Sequence, residues 1–394
     1  MRLGINGRFY RAPITGVQRF AREVTDRLAA LADVTLLLPR GVEAPHELPA
    51  RIVRGHLKGH VWEQLELSAR ARAAACDVTL HLSGTAPVHR GPHVVVIHDV
   101  LPLTHPHWFS RRFARWYATV LPPAVRNAAA VVTVSAWSRD EIVRVLGRRH
   151  GLTIVTQGIA PFDRPASDDE VQTVRERFGL PDRWLLAVGR RDPRKNHAFL
   201  AAVLDELRRR GHVLPLVVVG DAAIRVHGRQ PGIEGPGVFT PGHVSDDELR
   251  CLYTGAMALC FPSLGEGFGR PPLEAAACGT PSIVSDLPAV TDNGRNAGLA
   301  LPLDPAAWAD AILALERDNA LRAQTLQHAK SRTSGMSWND CAMQILEACM
   351  AAAGDLRKAA AIEQTAGDSR AAAGRGTDGR DRRTGSAPVR TAAD

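Results

Sequence analysis

The chain has 394 residues and a formal net charge of +8, with 45% hydrophobic and 23% charged residues. This composition is typical of a soluble globular protein, and the length favours two domains because one hydrophobic core seldom extends over so many residues. The sequence contains no run of about 18 apolar residues, and its N-terminus lacks the apolar segment of a signal peptide. We therefore expect a cytoplasmic protein rather than a membrane-spanning or secreted one.

The first half of the chain alternates short apolar runs with amphipathic stretches. The predicted strands are 1–7, 34–39, 78–83, 93–100 and 130–135. Helical patterns lie between them, for example at 17–31 and 111–129. Alternation of this kind indicates βαβ units and a parallel sheet.

A second alternating series follows a link at 157–181 that is rich in proline and acidic residues. Its predicted strands are 183–190, 215–220, 238–244, 256–263 and 281–286. The sequence therefore predicts an α/β protein with two doubly wound domains, at 1–160 and 161–336. Such sheets bind ligands at the carboxyl ends of their strands, so the cleft between the domains is the expected site.

The C-terminal region divides into a helix and a tail. We predict an amphipathic helix at 337–353 and a disordered tail at 354–394, because the tail has too few large apolar residues to offset its ordering entropy. The large apolar residues of the helix are expected to share one face: Trp338, Met343, Ile345, Leu346 and Met350.

The six cysteines include no C-x-x-C pair, and none lies at metal-ligand spacing from a histidine. In a reducing compartment they are expected to be small buried hydrophobes, without disulfides or structural zinc.

The segment 107–126 carries four arginines, five aromatic residues and no acidic residue. It could contact an anionic membrane peripherally through Trp108 to Arg126, or it could be an ordinary helix with aromatics in the core and arginines in water. Nucleic-acid binding is less well supported because no recognition module accompanies the charge, so we expect no nucleic-acid partner.

A basic turn, GRRDPRKN at 189–196, joins a predicted strand to a predicted helix. Its four cations, Arg190, Arg191, Arg194 and Lys195, lie beside a helix N-terminus, where free N–H groups and the helix dipole favour an anion. A solvated basic loop is the alternative interpretation. The position at a strand end favours the anion site.

Two glutamates, Glu266 and Glu274, flank a glycine-rich turn in SLGEGFGRPPLE. Gly267 and Gly269 remove side chains, so backbone N–H groups can approach a ligand closely. A carboxylate suits vicinal hydroxyls, although each glutamate could also be a loop charge or a partner of the helix dipole. Together with the basic turn, this set matches a nucleoside-diphosphate sugar, with cations for the pyrophosphate and one acid each for ribose and sugar.

These stretches resemble the family-four retaining glycosyltransferases of the GT-B fold, whose E-x7-E hallmark is present as Glu266 and Glu274. In the first half PITGVQRFARE, HVWEQLELSAR, VIHDVLPLTHP and VTVSAWSRDEI resemble members that build bacterial cell-surface polysaccharides, often mannosyl- or rhamnosyl-transferases. The likeness covers roughly residues 1–353. It implies two Rossmann-like domains facing across a cleft, the first on the acceptor side and the second binding the nucleotide sugar, with the helix 337–353 crossing back to the first.

The resemblance also implies roles for individual residues. Arg190 and Lys195 would bind the donor diphosphate, Glu274 the ribose hydroxyls and Glu266 the transferred sugar. Arg270 stands where relatives commonly carry an apolar residue, and the first loop has one glycine where many relatives have two.

Five further positions carry over from the resemblance. Gly16 would leave room for the donor, His98 would stand near the anomeric carbon, Phe268 and Gly269 would supply backbone donors, and Ser135 would line the cleft. A histidine that ends a buried strand can equally be a hydrogen-bonded core residue, so for His98 both interpretations stay open.

The implied function is transfer of a hexose, with mannose from GDP-mannose as the first guess, to a saccharide or lipid-linked saccharide acceptor with retention of configuration. The chain contains no Asp-x-Asp, so we expect no metal and no other cofactor. The protein would then be cytoplasmic, with peripheral contact at the inner face of the plasma membrane as a further expectation. The alternatives are a sugar-nucleotide epimerase and a non-enzymatic sugar-nucleotide-binding protein.

Overall fold

A computed structural model of the chain describes residues 1–190, 192–220, 233, 235–242, 244–291 and 297–354, and these residues form two parallel β-sheets. The strands of the first sheet are β1 (Arg2–Asn6), β2 (Asp33–Leu38), β3 (Arg51–Arg54), β4 (Val78–His81), β5 (His93–Ile97), β6 (Ala130–Thr133) and β7 (Leu152–Ile154). Those of the second are β8 (Leu185–Val188), β9 (Leu216–Val219), β10 (Val238–Phe239), β11 (Ala258–Phe261), β12 (Ser282–Ser285) and β13 (Leu299–Leu301).

Helices connect the strands and cover both faces of each sheet. The first half contains α1 (Gly16–Leu31), α2 (Gly59–Leu65), α3 (Leu67–Ala73), α4 (Leu101–Thr104), α5 (Arg111–Asn127) and α6 (Ala136–Leu146). The second half contains α7 (Asp168–Phe178), α8 (His197–Arg209), α9 (Asp246–Thr254), α10 (Arg270–Ala277), α11 (Pro288–Thr291), α12 (Pro305–Arg317), α13 (Asn319–Thr333) and α14 at 338–354. Successive side chains of a strand point to opposite faces of the sheet, and in β5 both sets are apolar. Val94 and Val96 belong to one core cluster, and Val95 and Ile97 belong to another, so both faces need helices to cover them.

The strand order changes direction once in each sheet. The first sheet has the order β3-β2-β1-β4-β5-β6-β7, and the second has the order β10-β9-β8-β11-β12-β13. The connections that leave β1 and β4, or β8 and β11, therefore diverge and open a crevice at the carboxyl ends of these strands. The predicted α/β class with two doubly wound, Rossmann-like sheets is confirmed.

Three strands, β3, β7 and β13, are not predicted from the sequence. Each is the outermost strand of its sheet, has at most four residues and is exposed or half-buried along its length. Such a strand needs no apolar run, because one edge and much of its surface remain in contact with water. A pattern of hydrophobic residues therefore gives no signal for it.

The helix α14 packs against the first sheet although it lies at the far end of the chain. Trp338, Cys341 and Ile345 are each at most 3% exposed and belong to the core cluster that contains β1 and α1. The Trp338 indole N–H also donates to the Ala160 carbonyl at 3.1 Å. This helix therefore completes the core of the first half.

The predicted apolar face of this helix is partly wrong. Met343 and Met350 are 45% and 57% exposed, whereas Ile345 is fully buried and Leu346 partly so. With 3.6 residues per turn, the residues that share the face of Trp338 lie at three- and four-residue intervals from it, and they are Ile345 and several cysteines and alanines, not the methionines.

All six cysteines are free, and five of them are buried, as expected of small hydrophobes. The prediction for the tail lies outside the described residues from position 355 onward.

Candidate active site

The basic turn leaves β8 at the carboxyl edge of the second sheet. Asp192 is 2% exposed and begins a 3₁₀ turn, Pro193–Lys195, in which its Oδ1 accepts a hydrogen bond from the Arg194 N–H at 2.9 Å. Gly189 has a φ of +148°, and a Cβ there would lie 3.0 Å from the Lys195 side chain. Glycine is needed at this position because Lys195 folds back along the strand end.

Lys195 and Glu266 form an ion pair at this edge. The Lys195 Nζ lies 2.7 Å from Glu266 Oε1, and the Ser263 hydroxyl donates to the same oxygen. Glu266 is only 7% exposed, and the Lys195 Nζ also lies 4.9 Å from the centroid of the Phe261 ring. Residues predicted from two separate motifs thus meet where the neighbouring strands β8 and β11 end.

Arg190, the other predicted diphosphate ligand, follows Gly189 in the same turn and is half-buried. Its carbonyl accepts a hydrogen bond from the Asp192 N–H at 2.8 Å. Arg191 lies outside the described residues.

Arg194 is a half-buried residue of the same turn, and no individual role is predicted for it from the sequence. Its Nη1 lies 4.0 Å from Glu266 Oε2. Burial alone would lower the pKa of this guanidinium, but the carboxylates of Glu266, Asp192 and Asp99 outweigh burial and raise it. Arg194 therefore remains charged and holds three carboxylates in place.

Asp99 is a second residue that the sequence analysis does not single out. It follows His98 just beyond β5, and its Oδ1 accepts a hydrogen bond from the Leu101 N–H at 3.0 Å. Burial raises the pKa of Asp99, and the charge of Arg194 opposes that rise. The His-Asp pair near the end of the predicted strand 93–100 is the signal from which this residue could have been found.

Glu274 lies in α10 and uses both carboxylate oxygens. The Tyr253 hydroxyl donates to Oε2 and the Arg270 Nε donates to Oε1, each at 2.9 Å. Burial raises the pKa of Tyr253 well above its usual value, and the negative charge of Glu274 adds to the effect. Each carboxylate oxygen can accept a further hydrogen bond, so Glu274 keeps capacity for ligand hydroxyls.

Arg270, which departs from the family pattern, connects this glutamate to α14. Its guanidinium lies 5.1 Å from the centroid of the Trp338 ring, and the residue is 8% exposed. Its Nη1 and Nη2 atoms are buried and have no hydrogen-bond partner among the described residues. The charge is therefore incompletely satisfied, with Glu274 as its neighbouring carboxylate.

Gly16 is the first residue of α1, and a Cβ there would meet no atom within 4 Å. The protein itself therefore imposes no need for glycine at this position. One turn later, Arg19 reaches across to Asp246 of α9, with 2.6 Å between Nη1 and Oδ2. Burial lowers the pKa of Arg19, but the hydrogen bond to Asp246 and the charges of the nearby carboxylates together raise it, so the two halves are joined by a charged pair.

The loop 263–269 touches the first half of the protein at Gly267. Its carbonyl accepts hydrogen bonds from the hydroxyls of Ser135 at 2.6 Å and Ser138 at 3.1 Å. A Cβ on Gly267 would collide with the His98 carbonyl oxygen. Close approach of the two halves thus requires glycine here, a reason that the sequence analysis does not anticipate.

The two residues after Gly267 have different surroundings. Phe268 is 7% exposed and joins the core cluster of the first sheet. Gly269 has a φ of +80° and precedes α10, so its conformation favours glycine. This loop is therefore fixed from both sides.

The His98 ring is half-buried, and its Nε2 hydrogen-bonds to the Leu82 carbonyl at 3.0 Å. The ring also meets Phe20 edge-on, with 4.8 Å between centroids. Burial lowers the pKa of His98, so the ring is neutral near pH 7 and Nδ1 is left as an acceptor. This geometry fits the alternative of a hydrogen-bonded core histidine, and the catalytic role stays a prediction.

The basic-aromatic segment packs in part against the second half. Trp108 and Phe109 are 7% and 8% exposed and cluster with Leu101 and Leu264. Four arginines of the segment are exposed: Arg111, Arg112, Arg115 and Arg126. The first two aromatics therefore serve packing, as in the ordinary-helix interpretation.

Over the ranges given above, no helix has the length and apolar character needed to cross a bilayer. Within the same residues, no group of three or more His, Cys, Asp or Glu side chains is arranged to hold a metal ion.

Both halves of the chain match glycosyltransferase families. Residues 182–318 match the family described as glycosyl transferases group 1, and residues 14–162 match glycosyltransferase family 4. The chain is 26% identical over 367 residues to the O-antigen chain mannosyltransferase B of Escherichia coli, which covers 85% of this chain and 96% of that protein. It is 29% identical over 238 residues to the O-antigen chain mannosyltransferase RfbU of Salmonella typhimurium, covering 59% and 63% respectively.

Solved structures share the fold. The Anabaena protein Alr3699/HepE in complex with UDP and glucose has a TM-score of 0.67 at 17% identity, covering 89% of this chain and all of that chain. WaaG, a glycosyltransferase involved in lipopolysaccharide biosynthesis, has a TM-score of 0.62 at 14% identity, covering 88% and 98%. With family matches in both halves and this fold, the chain belongs to the group 1 and family 4 glycosyltransferases of the GT-B fold.

Proposed function

We propose that the protein transfers a mannosyl residue from a nucleoside-diphosphate sugar, with GDP-mannose as the first donor to test, to a saccharide or lipid-linked saccharide. The transfer would belong to the synthesis of a cell-surface polysaccharide or glycolipid. The observation that carries the proposal is the buried Lys195–Glu266 pair, 2.7 Å apart, at the crevice between β8 and β11. The relationship to an O-antigen mannosyltransferase over 96% of that protein's length supports mannose as the sugar.

In this proposal the ion pair between Lys195 and Glu266 breaks when the donor binds. A diphosphate beside Lys195 and Arg190 would receive fixed positive charge where negative charge develops on the leaving oxygen. Glu266, released from Lys195, would accept hydrogen bonds from the sugar hydroxyls, and Glu274 would accept those of the ribose. Arg194 stays beside Glu266, with its Nη1 4.0 Å from Oε2.

Backbone groups of the loop Gly267, Phe268 and Gly269 would complete the diphosphate site. Gly16 would keep open the space opposite them. Because Gly267 is held by Ser135, closure of the two halves would place the donor against the first sheet and exclude water.

We propose retention of configuration by attack on the same face as the leaving group, with the departing phosphate taking the acceptor proton. No metal or other cofactor takes part in this scheme. We assign Asp99 no nucleophilic role, because its carboxylate accepts a hydrogen bond from the Leu101 N–H and interacts with the charge of Arg194. His98 would stand near the reacting carbon.

The location proposed for the enzyme is the cytoplasm, with peripheral contact at the inner face of the plasma membrane. The exposed arginines of α5, Arg111, Arg112 and Arg115, would face anionic headgroups. Because Trp108 and Phe109 are buried, this contact would be electrostatic and weakened by salt.

The donor is tested by thermal unfolding with GDP, UDP and dTDP and their sugars, because a ligand that binds only the folded state raises the melting temperature. We expect GDP and GDP-mannose to stabilise the protein, and Lys195→Ala to abolish this effect. Lys330→Ala, at an exposed lysine of α13, is the matched control. Unchanged stabilisation of Lys195→Ala, or none in the wild type, would contradict the proposed donor site.

Turnover is measured with the stabilising donor and methyl α-mannopyranoside as acceptor. NMR of the product reports the anomeric configuration, which should equal that of the donor. Donor loss into a free epimer without transfer would instead indicate an epimerase.

A further inference from the structure

The carboxyl edge of the first sheet carries a buried polar cluster that the donor site does not use. Glu63 of α2 is fully buried, and its carboxylate lies 2.8 Å from Asn6 Nδ2, 3.2 Å from Arg8 Nε and 3.3 Å from His60 Nδ1. Burial alone would raise the pKa of Glu63, but Arg8 and His60 hold it well below its usual value. The cluster is therefore an ion pair between Arg8 and Glu63, with His60 hydrogen-bonded to the same carboxylate.

This cluster lies at the point where the strand order of the first sheet changes direction. Asn6 ends β1 and His81 ends β4, and 3.1 Å separates Asn6 Nδ2 from His81 Nδ1. Doubly wound sheets bind ligands at such a point. A buried ion pair adds little net stability, so stability alone does not account for the arrangement.

The members of the cluster differ in their access to solvent. Glu63 has no exposed side-chain surface, whereas the side chains of Arg8 and His60 are 18% and 34% exposed. Arg8 is also held by Thr85, whose hydroxyl oxygen accepts from Nη2 at 2.7 Å. The guanidinium and the imidazole are thus fixed from behind and reach the surface.

The accessible polar atoms provide a donor and an acceptor side by side. His60 Nδ1 donates to Glu63, so Nε2 is an acceptor, and it receives a long hydrogen bond of 3.4 Å from Arg8 Nη1 that a ligand hydroxyl could replace. The charge of Arg8 is already balanced by Glu63. A hydroxyl group, which both accepts and donates, fits this pair better than an anion does.

An aromatic ring lies beside this pair. The half-buried Trp116 of α5 has its ring centroid 4.8 Å from that of His60, and its Nε1 is buried without a hydrogen-bond partner among the described residues. A flat apolar surface next to hydroxyl-binding groups suits a sugar ring, whose faces carry C–H groups and whose edges carry hydroxyls.

The cluster and the transfer site both act electrostatically on one residue of α5. Tyr117, next to Trp116, is affected by both: burial raises its pKa to about 12, Arg8 opposes the rise, and Asp99 and Glu63 add to it. Tyr117 is therefore within electrostatic range of both the cluster and Asp99, and Asp99 is within that range of Arg194 and Glu266.

We propose that Arg8, His60 and Trp116 form the subsite for the acceptor and select an uncharged pyranose as its terminal sugar. This inference rests on the proposed function. It adds the chemical class of the acceptor and the residues that would recognise it.

The test is saturation-transfer NMR on the full chain, with and without GDP. The probes are methyl α-mannopyranoside, methyl α-glucopyranoside, glucuronate and glucose 6-phosphate. We expect saturation transfer to the two neutral glycosides and much less to the two charged sugars. His60→Ala should reduce the neutral signals severalfold, and Trp116→Phe, which keeps a ring but loses the N–H, should reduce them less.

His46→Ala, at an exposed histidine of the same half, should leave the signals unchanged. Stabilisation of His60→Ala by GDP would show that the variant is folded and that its donor side is intact. The inference is overturned if the charged sugars bind as well as the neutral ones, if wild type binds no neutral glycoside, or if His60→Ala binds like wild type. If GDP does not stabilise the wild type, that result counts against the proposed donor and not against the acceptor subsite. The two failures can be distinguished because the binding of the glycosides is also measured without GDP.

Discussion

The carboxyl edges of the two sheets have the same plan. Each places a buried glutamate between basic side chains where the strand order changes direction: Glu63 beside Arg8 and His60 in the first sheet, and Glu266 beside Lys195 and Arg194 in the second. The two edges differ in how firmly Arg8 and Lys195 are held.

At the first edge the cation is fixed. The guanidinium of Arg8 bonds to both Glu63 and Thr85, so its planar group has one orientation. At the second edge Lys195 presents a single ammonium on a flexible stem. The first edge is thus preorganised, whereas the second can exchange its carboxylate for a phosphate.

Replacing each glutamate by glutamine is the strongest test of this contrast. Glu63→Gln leaves the charge of Arg8 uncompensated in a buried site, and we expect it to lower the free energy of unfolding by about 3–5 kcal/mol. Glu266→Gln should cost less stability, because Asp99 and Asp192 still balance Arg194. It should instead reduce donor turnover about 10- to 100-fold. Urea denaturation and turnover assays separate the two, and equal losses of stability would contradict the contrast.

Acid should destabilise the first sheet through two buried histidines, one at the end of β4 and one at the start of β5. His81 and His93 are at most 2% exposed, and burial lowers their pKa values to about 3 and about 4. Below about pH 6.5 these histidines bind protons in the unfolded chain but stay neutral in the folded state. Their contribution to the free energy of unfolding is therefore complete above that pH and is lost as the pH falls.

For His93 the loss should reach about 3 kcal/mol near pH 4. The free energy of unfolding, measured from about pH 7 to about pH 4.5, should fall less steeply in His93→Gln. A slope identical to that of wild type would refute this assignment.

The contact that joins the two edges can be disrupted at Gly267. Gly267→Ala places a methyl group against the His98 carbonyl, and we expect it to cost about 1–3 kcal/mol and to hold the halves apart. Small-angle scattering should show a larger radius of gyration, and GDP should still stabilise the variant. Gly354→Ala, where a Cβ meets nothing within 4 Å, is the matched control. An unchanged radius would mean that the loop adjusts instead.

The smallest effect is expected for Arg270→Leu. The substitution removes one hydrogen bond to Glu274, which keeps the hydrogen bond from Tyr253, and it also removes two buried, unpartnered amino groups. The free energy of unfolding should therefore change by less than about 1 kcal/mol. Thermal unfolding with and without GDP measures both stability and donor affinity. A loss as large as that of Glu63→Gln would show that Arg270 is a structural charge.

The meeting of Lys195 and Glu266 at the second edge could be predicted because the residues concerned lie in two short stretches, 189–196 and 263–274, with glycine and proline at the turns. The first edge could not be found in this way. Its residues are spread from position 6 to position 116, and none of them follows a spacing that chemistry requires. Their proximity arises only because β1 and β4 are neighbours in the sheet.

The same distinction applies to the elements of the fold. Buried central strands such as β5 carry apolar runs that predict them, whereas the edge strand β3 reads Arg-Ile-Val-Arg and remains largely exposed. The exposed Met343 shows that residue type alone does not settle which side of a helix is buried.

The return of α14 to the first sheet affects how the protein is made. Trp338, Cys341 and Ile345 leave the ribosome only after the whole of the second sheet has been synthesised. Domains usually fold in the order of synthesis. Here the half that emerges first keeps part of its apolar core uncovered until α14 has been synthesised. The nascent N-terminal half is therefore the part most exposed to aggregation and to chaperones.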